Sequence, residues 1–291
     1  MFVSAFNHDS TVCPRLPATS LNTGGPVKTL RTERRVRILI NGACVADTLG
    51  TTGALFVWEH EYYPQLYFPR SALVKNVQGY DIVYEDHQDV KGDHDQIIAN
   101  TLKVKVTRKA DNNMKEVKDG FIVFSDGLAG KASELSGMLK VQFSAADQWL
   151  EEDTPMFVHP KDPFKRIDVL QSTRGVKVAV NGKTVAETST CMQLYEGGLP
   201  IRYYMPLTAI DNSILRPSET RTQCPYKGEA EYYDVVVGDK TYKDIVWYYT
   251  RPITECAAIA GLYCFYNEKV DMWIQNGDDW EKLGQEKSIF S

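Results

Sequence analysis

Reactive side chains concentrate in two aromatic-rich stretches, 221–233 (RTQCPYKGEAEYY) and 247–252 (WYYTRP). Lys227 is a cation or, if desolvated, a group that exchanges a proton near neutral pH. Tyr226, Tyr204 and Tyr249 offer phenol hydrogen bonds and flat walls, and Trp247 adds a large apolar face with one donor. Glu196 and Glu229 are candidate bases. Arg202, Arg221 and Arg251 can anchor an anion or a carbonyl group. Cys224 is a candidate nucleophile, although no histidine follows His159 to activate it. Lys227, Tyr226, Glu196 and Cys224 thus form the candidate catalytic set. Tyr204, Arg202, Arg221, Trp247, Tyr249 and Arg251 form the candidate binding set, suited to a conjugated molecule with carbonyl or hydroxyl groups. Each also has a plainer role: Cys224 as a small residue before Pro225, Lys227 as a turn cation neutralising Glu229, Trp247 and Tyr249 as one core face of a strand.

The elements that must position these groups come from a tandem repeat. Val36–Thr48 (VRILINGACVADT) recurs as Val176–Thr188 (VKVAVNGKTVAET). Glu59 then matches Glu196, Tyr67–Pro69 matches Tyr204–Pro206, Lys91–Asp93 matches Lys227–Glu229, Gly137 matches Gly261, and Trp149 matches Trp273. The expected organisation is an N-terminal arm at 1–30, a first, degenerate β domain at 31–155, and a second β domain at 156–291, with the linker around 151–174. Each copy reads as mainly β. Asn41-Gly42 and Asn181-Gly182 predict two-residue type I′ hairpins, and 232–237 followed by 242–249 predicts another. One short helix per copy is expected, 254–261 with Thr254 as N-cap, and 131–137 in the first copy. A cleft between fused domains would also draw on Trp58, Glu59, Tyr67 and Lys91.

Composition narrows the function. A chain of 291 residues fits two domains at about 150 residues each. It has 33 basic against 38 acidic residues, net −5, which removes the electrostatic support for a nucleic-acid or anionic-membrane partner. The longest apolar stretch, 256–266, is too short to span a bilayer, and the first residues lack a signal-peptide pattern. The six cysteines contain no CxxC pair, so neither a zinc cage nor a disulfide framework is expected. The acidic run 85–95 reads as a solvated loop rather than a metal site. A cytoplasmic protein without metal or cofactor is expected, acting on a small-molecule substrate as a monomeric fused pseudo-dimer.

The second copy resembles the domain of unknown function 427 family over about residues 174–277. The motifs are 180–182 (VNG) with 185–188 (VAET), 199–206 (LPIRYYMP), 222–228 (TQCPYKG), 247–249 (WYY), 257–261 (AAIAG) and 265–266 (FY). The first copy is a degenerate relative, with 88–90 (QDV) in place of 224–226 (CPY). The resemblance implies a compact antiparallel β domain like the β-tent group. That group binds zinc through CxxC pairs, which this chain lacks, so no metal is implied. The family is sometimes labelled nucleotidyltransferase-like. Such enzymes need a Gly-Ser turn and an Asp-x-Asp pair for Mg²⁺ and triphosphate; the only Asp-x-Asp here, Asp93–Asp95, has no Gly-Ser before it, and 126–131 (DGLAGK) lacks the first glycine of a phosphate loop.

Without dinucleotide, serine-hydrolase or metalloprotease motifs, what remains is acid–base and positional catalysis. Tandem members resemble fungal secondary-metabolite proteins and, more distantly, cyclases that steer hetero-Diels–Alder reactions. The expected function is cofactor-independent dehydration or cyclisation of a conjugated natural-product intermediate. The alternatives are a small-molecule binding protein without turnover and a structural module.

Overall fold

The computed structural model describes residues 25–92 and 95–284. The expected N-terminal arm lies mostly outside the described residues, as do Asp93 and His94. Two compact units divide between Asp162 and Pro163, within the proline-bearing linker. In the first unit the strands are β1 (Lys28–Thr32), β2 (Val36–Ile40), β3 (Ala43–Asp47), β4 (Ala54–Trp58), β5 (Gln65–Pro69), β6 (Tyr80–Lys91), β7 (Ile97–Arg108), β8 (Asn113–Phe124), β9 (Met138–Val141), β10 (Gln148–Glu151) and β11 (Thr154–Met156). The second unit continues with β12 (Ile167–Ser172), β13 (Val176–Val180), β14 (Lys183–Thr188), β15 (Cys191–Glu196), β16 (Arg202–Met205), β17 (Leu215–Cys224), β18 (Gly228–Val237), β19 (Lys240–Tyr248), β20 (Tyr263–Phe265), β21 (Asp271–Asn276) and β22 (Asp279–Lys282).

Each unit pairs a seven-stranded antiparallel sheet with a four-stranded one. The large sheets run β1-β4-β5-β9-β8-β7-β6 and β12-β15-β16-β20-β19-β18-β17, the same order in both copies. Period-two alternation buries both faces of each large sheet. In the second unit Tyr203 and Val246 join one core with Val176, Val178 and Met272. Their neighbours Tyr204 and Trp247 point the other way, joining Leu194, Tyr232, Cys256 and Ile259. This second face carries the candidate site.

Both Asn-Gly hairpins form, with φ of 52° and 82° at Asn41 and Gly42 and of 52° and 76° at Asn181 and Gly182. Nothing lies within 4 Å of a Cβ built on Gly182, whereas one on Gly42 would sit 2.9 Å from the Tyr80 hydroxyl. Gly182→Ala is therefore expected to cost about 1 kcal/mol of backbone strain alone, and Gly42→Ala more, as urea-unfolding midpoints would show. The hairpin joining β18 to β19 also forms, with Val237 opposite Lys240.

Five local expectations are corrected or refined. The acidic run belongs to strand β6 as far as Lys91, not to a loop. β6 is the sheet edge, where charged side chains block further pairing; alternation holds from Tyr80 to Glu85 and lapses over residues 86–89. The two short helices are 3₁₀ turns, Gly130–Leu135 and Thr254–Ile259. Thr254 does not cap; Ile253 precedes the turn and no side chain caps it. Trp149 lies opposite Ile38, but Trp273 lies opposite Lys177, one register position away from the matching Val178. That single-residue slip reverses the face: Trp149 is buried, while Trp273 lies under the Lys282 ammonium. By the same pairing logic Lys91, opposite Ile97, occupies the place of Cys224, opposite Gly228, rather than that of Lys227.

Candidate functional site

Glu196 ends β15 with its side chain only 5% exposed. Two ammonium groups hold it. Lys227, in the turn between β17 and β18, places Nζ 2.5 Å from Oε2; Lys165, just before β12, places Nζ 2.8 Å from Oε1. Lys227 is 13% exposed and Lys165 24%, so Lys165 is the outer cation. Its Nζ also stands 4.9 Å from the centre of the Tyr226 ring. The turn that delivers Lys227 is clamped from behind. The Ile253 N–H donates to the Lys227 carbonyl at 3.1 Å, and the Cys256 thiol to the Tyr226 carbonyl at 3.3 Å. Gly228 has φ of 102°, and a Cβ there would lie 3.3 Å from the Arg251 carbonyl oxygen, so the position calls for glycine.

Burial pushes the Glu196 carboxylate upward, but the charges and hydrogen bonds of Lys227 and Lys165 outweigh it and hold the group below its ordinary 4.5. For Lys227 burial acts downward, and the Glu196 carboxylate, through its charge and its hydrogen bond, helps keep it above its ordinary value. The pair is a standing ion pair. A depressed carboxylate contributes stability above its unfolded value and loses it as pH falls through the folded value; a raised ammonium contributes below its unfolded value and loses it only as pH rises through the folded one. The contribution of this centre should be level between about pH 5 and pH 10 and fall on the acid side. Urea unfolding from pH 7 to pH 3 should show an acid loss in the native chain that is smaller in Glu196→Gln.

The remaining candidates divide by surroundings. Tyr204, on β16 next to Glu196's strand, and Trp247, on β19, are buried on one face of the sheet, with the Trp247 indole N–H donating to the Tyr204 hydroxyl at 3.1 Å. Tyr249 is buried on the same face, and burial raises the phenols of Tyr204 and Tyr249 well above their ordinary value. Arg202 gives both terminal nitrogens to Glu268 at 2.8 Å each and lies over the Trp247 ring. Arg221, on the edge strand β17, pairs with Glu231 at 3.2 Å, and Arg251 is exposed. Cys224 is half-buried at the end of β17, while burial pushes the Cys256 thiol up to about 11, which keeps Cys256 protonated at neutral pH. The expected Lys227–Glu229 neutralisation is corrected: Lys227 turns inward to Glu196, and exposed Glu229 meets Gln223 at 3.3 Å.

In the first unit Tyr67 belongs to a buried carboxylate centre, whereas Trp58 packs in the core on the other face of the sheet. Glu59, after β4, accepts from the Tyr67 hydroxyl at 2.9 Å and pairs with Lys140 Nζ at 2.5 Å, both charged side chains being 7% exposed. The Trp58 indole donates to Asp162 at 3.2 Å. Strand pairing aligns Lys140, opposite Tyr67, with Cys264, opposite Tyr204. The buried carboxylate is thus common to both copies, while its cation comes from β9 in one and from the 225–227 turn and the 165 segment in the other. The first centre has one ammonium for one carboxylate; the second has two.

Lys165, Lys140 and Glu268 lie outside every repeated block, so no motif marks them. The available signal was a buried acid that needs a counter-charge, but not where that charge would come from. Two clefts of about 550 and 220 Å³ open on the surface, one lined by residues from Lys75 to Lys109 and the other by Arg174, Asn267 and Glu281. Neither is lined by Glu196, Lys227 or Trp247.

Comparison with known proteins agrees with this internal duplication. No curated protein matches the chain. The pattern of the family described as Domain of unknown function (DUF427) matches twice, over residues 28–150 and again over 168–276. These two matches cover nearly all of both large sheets, and the chain belongs to the DUF427 family as a tandem, two-domain member.

Proposed function

We propose that the second domain is a cofactor-independent enzyme of secondary metabolism that dehydrates or cyclises a small conjugated intermediate at the Glu196 centre. The observation that carries this reading is a buried carboxylate between two ammonium groups, one cation more than charge balance requires. In this scheme Lys227, the inner cation, holds Glu196 in place and ionised, and Lys165, the outer cation, stabilises negative charge developing on a substrate carbonyl oxygen. Glu196 takes a proton from the adjacent carbon and returns it to a β-hydroxyl, which leaves as water with the bonding pair. The electron pair of the broken C–H bond forms the new double bond. Tyr226 supplies the flat wall against which the resulting diene meets an alkene for ring closure. The scheme needs no metal, redox cofactor, nucleic acid or membrane. Among the described residues no helix is long and apolar enough to cross a membrane, which fits the further proposal of a cytoplasmic monomer.

A second reading, small-molecule binding without turnover, is favoured by the direct 2.5 Å Lys227–Glu196 contact, which occupies both groups in the resting state. One experiment separates the two. A metabolite extract of the source organism is incubated with native, heat-denatured and Lys227→Ala protein and profiled by mass spectrometry. A product made by native protein alone is the expected outcome. Equal product from Lys227→Ala removes Lys227 from the mechanism. A compound retained by native protein without conversion replaces the enzyme reading by the binding one.

A further inference from the structure

The two copies seal one end of the core differently. In the first unit Phe143 opens a short 3₁₀ turn and stacks on Trp149 at 5.0 Å, and the Trp149 indole donates to the Phe143 carbonyl at 3.0 Å. Beside it Arg34 pairs with Glu151 at 3.0 Å. Strand register identifies the counterparts. Glu151 lies opposite Val36 as Ile274 lies opposite Val176, and Trp149 lies opposite Ile38 as Met272 lies opposite Val178. Arg34 and Arg174 share one local turn, each backbone N–H bonding a hydroxyl two residues back, on Thr32 and Ser172. Asn267 opens the 3₁₀ turn that corresponds to the Phe143 turn.

The second unit therefore has Asn267 for Phe143, Met272 for Trp149 and Ile274 for Glu151, and a cleft of about 220 Å³ opens at this end. The cleft brings together three polar groups with unused capacity. Asn267 is 9% exposed; its amide donates to the Ile201 carbonyl at 2.8 Å, but among the described residues its carbonyl oxygen has no partner. Leaving a buried acceptor unmade is costly. Arg174 spends Nε on the Gln275 carbonyl at 2.9 Å, and among the described residues its terminal nitrogens have no partner. Glu281, cross-strand from Ile274, likewise makes no ion pair or side-chain hydrogen bond among the described residues. Ile201, Ile274 and Leu283 supply the apolar lining.

We infer that this cleft binds a free aliphatic α-amino acid. The carboxylate meets the Arg174 fork, the ammonium donates to Glu281 and to the orphaned Asn267 oxygen, and the side chain lies on Ile201, Ile274 and Leu283. A ligand carrying only one of the two charges leaves Arg174 or Glu281 unanswered. The site is independent of the Glu196 centre and of the activity proposed there.

The test is calorimetric titration of the full chain with L-leucine, L-leucinamide and 4-methylpentanoate. Saturable binding of L-leucine is expected, with the amide and the deaminated acid each at least about tenfold weaker. Arg174→Met and Glu281→Gln, both at exposed side chains, should each weaken L-leucine by at least about tenfold while circular dichroism and the unfolding midpoint stay unchanged. Lys227→Ala should leave L-leucine binding intact. Absence of saturable binding to the native chain overturns the inference, as does binding that neither cleft substitution alters.

Discussion

Lys140→Met is expected to destabilise the first domain by about 3–5 kcal/mol, the cost of breaking a buried ion pair from one side. Lys140 is the sole ammonium partner of Glu59 among the described residues, at 2.5 Å, and both side chains are 7% exposed. The Tyr67 hydroxyl at 2.9 Å remains, but one neutral donor does not replace a charge. Adding Glu59→Leu removes the stranded carboxylate and should recover most of the loss, because a well-packed apolar pair is often as stable as the ion pair it replaces. Urea unfolding of the two single variants and the double variant measures this directly. A double variant no more stable than Lys140→Met would show that the lysine acts through packing instead. The same change at Lys227 should cost less, since Lys165 still holds Glu196 at 2.8 Å.

Trp247→Ala is the second large effect, about 3–5 kcal/mol for a truncated core aromatic. The indole is 6% exposed, packs on Tyr266 at 4.4 Å between centroids, meets the edge of Tyr204 at 6.3 Å and lies under Arg202. Its N–H is also the donor to the Tyr204 hydroxyl. Trp247→Phe keeps the ring contacts and loses that donor, so a smaller loss of about 1–2 kcal/mol follows. If calorimetry gave Trp247→Ala and Trp247→Phe equal losses, the hydrogen bond and not the packing would dominate. Because Trp247 and Lys140 belong to different units and share no partner, their effects should add within about 0.5 kcal/mol.

Much of the fold was legible in the chain. Val36–Thr48 and Val176–Thr188 announce the duplication, and their Asn-Gly pairs specify turns whose positive φ values are a property of two adjacent residues. Alternation at Trp247, Tyr248 and Tyr249 identified a buried face. The site was half legible. The motif residues Glu196, Lys227 and Tyr226 come together around one carboxylate, yet Lys91, which the linear repeat aligns with Lys227, is exposed and pairs with Asp95. The turn in that copy differs in length, so linear matching carried the lysine to the wrong register position.

Local chemistry therefore determined the β architecture, the hairpins, the tandem repeat and the family, since each depends on residues close in sequence or on motifs in a set order. Tertiary structure alone decided which cation meets each buried acid, Lys140 for Glu59 but Lys165 and Lys227 for Glu196. It also decided that Trp273 faces away from the place Trp149 fills, and that Asn267 and Ile274 leave a cleft where Phe143, Trp149 and Glu151 close one. The physical reason is common to all three. Strand register and the convergence of distant segments set these contacts, and a one-residue shift that hardly alters the sequence pattern turns a side chain to the opposite face of the sheet.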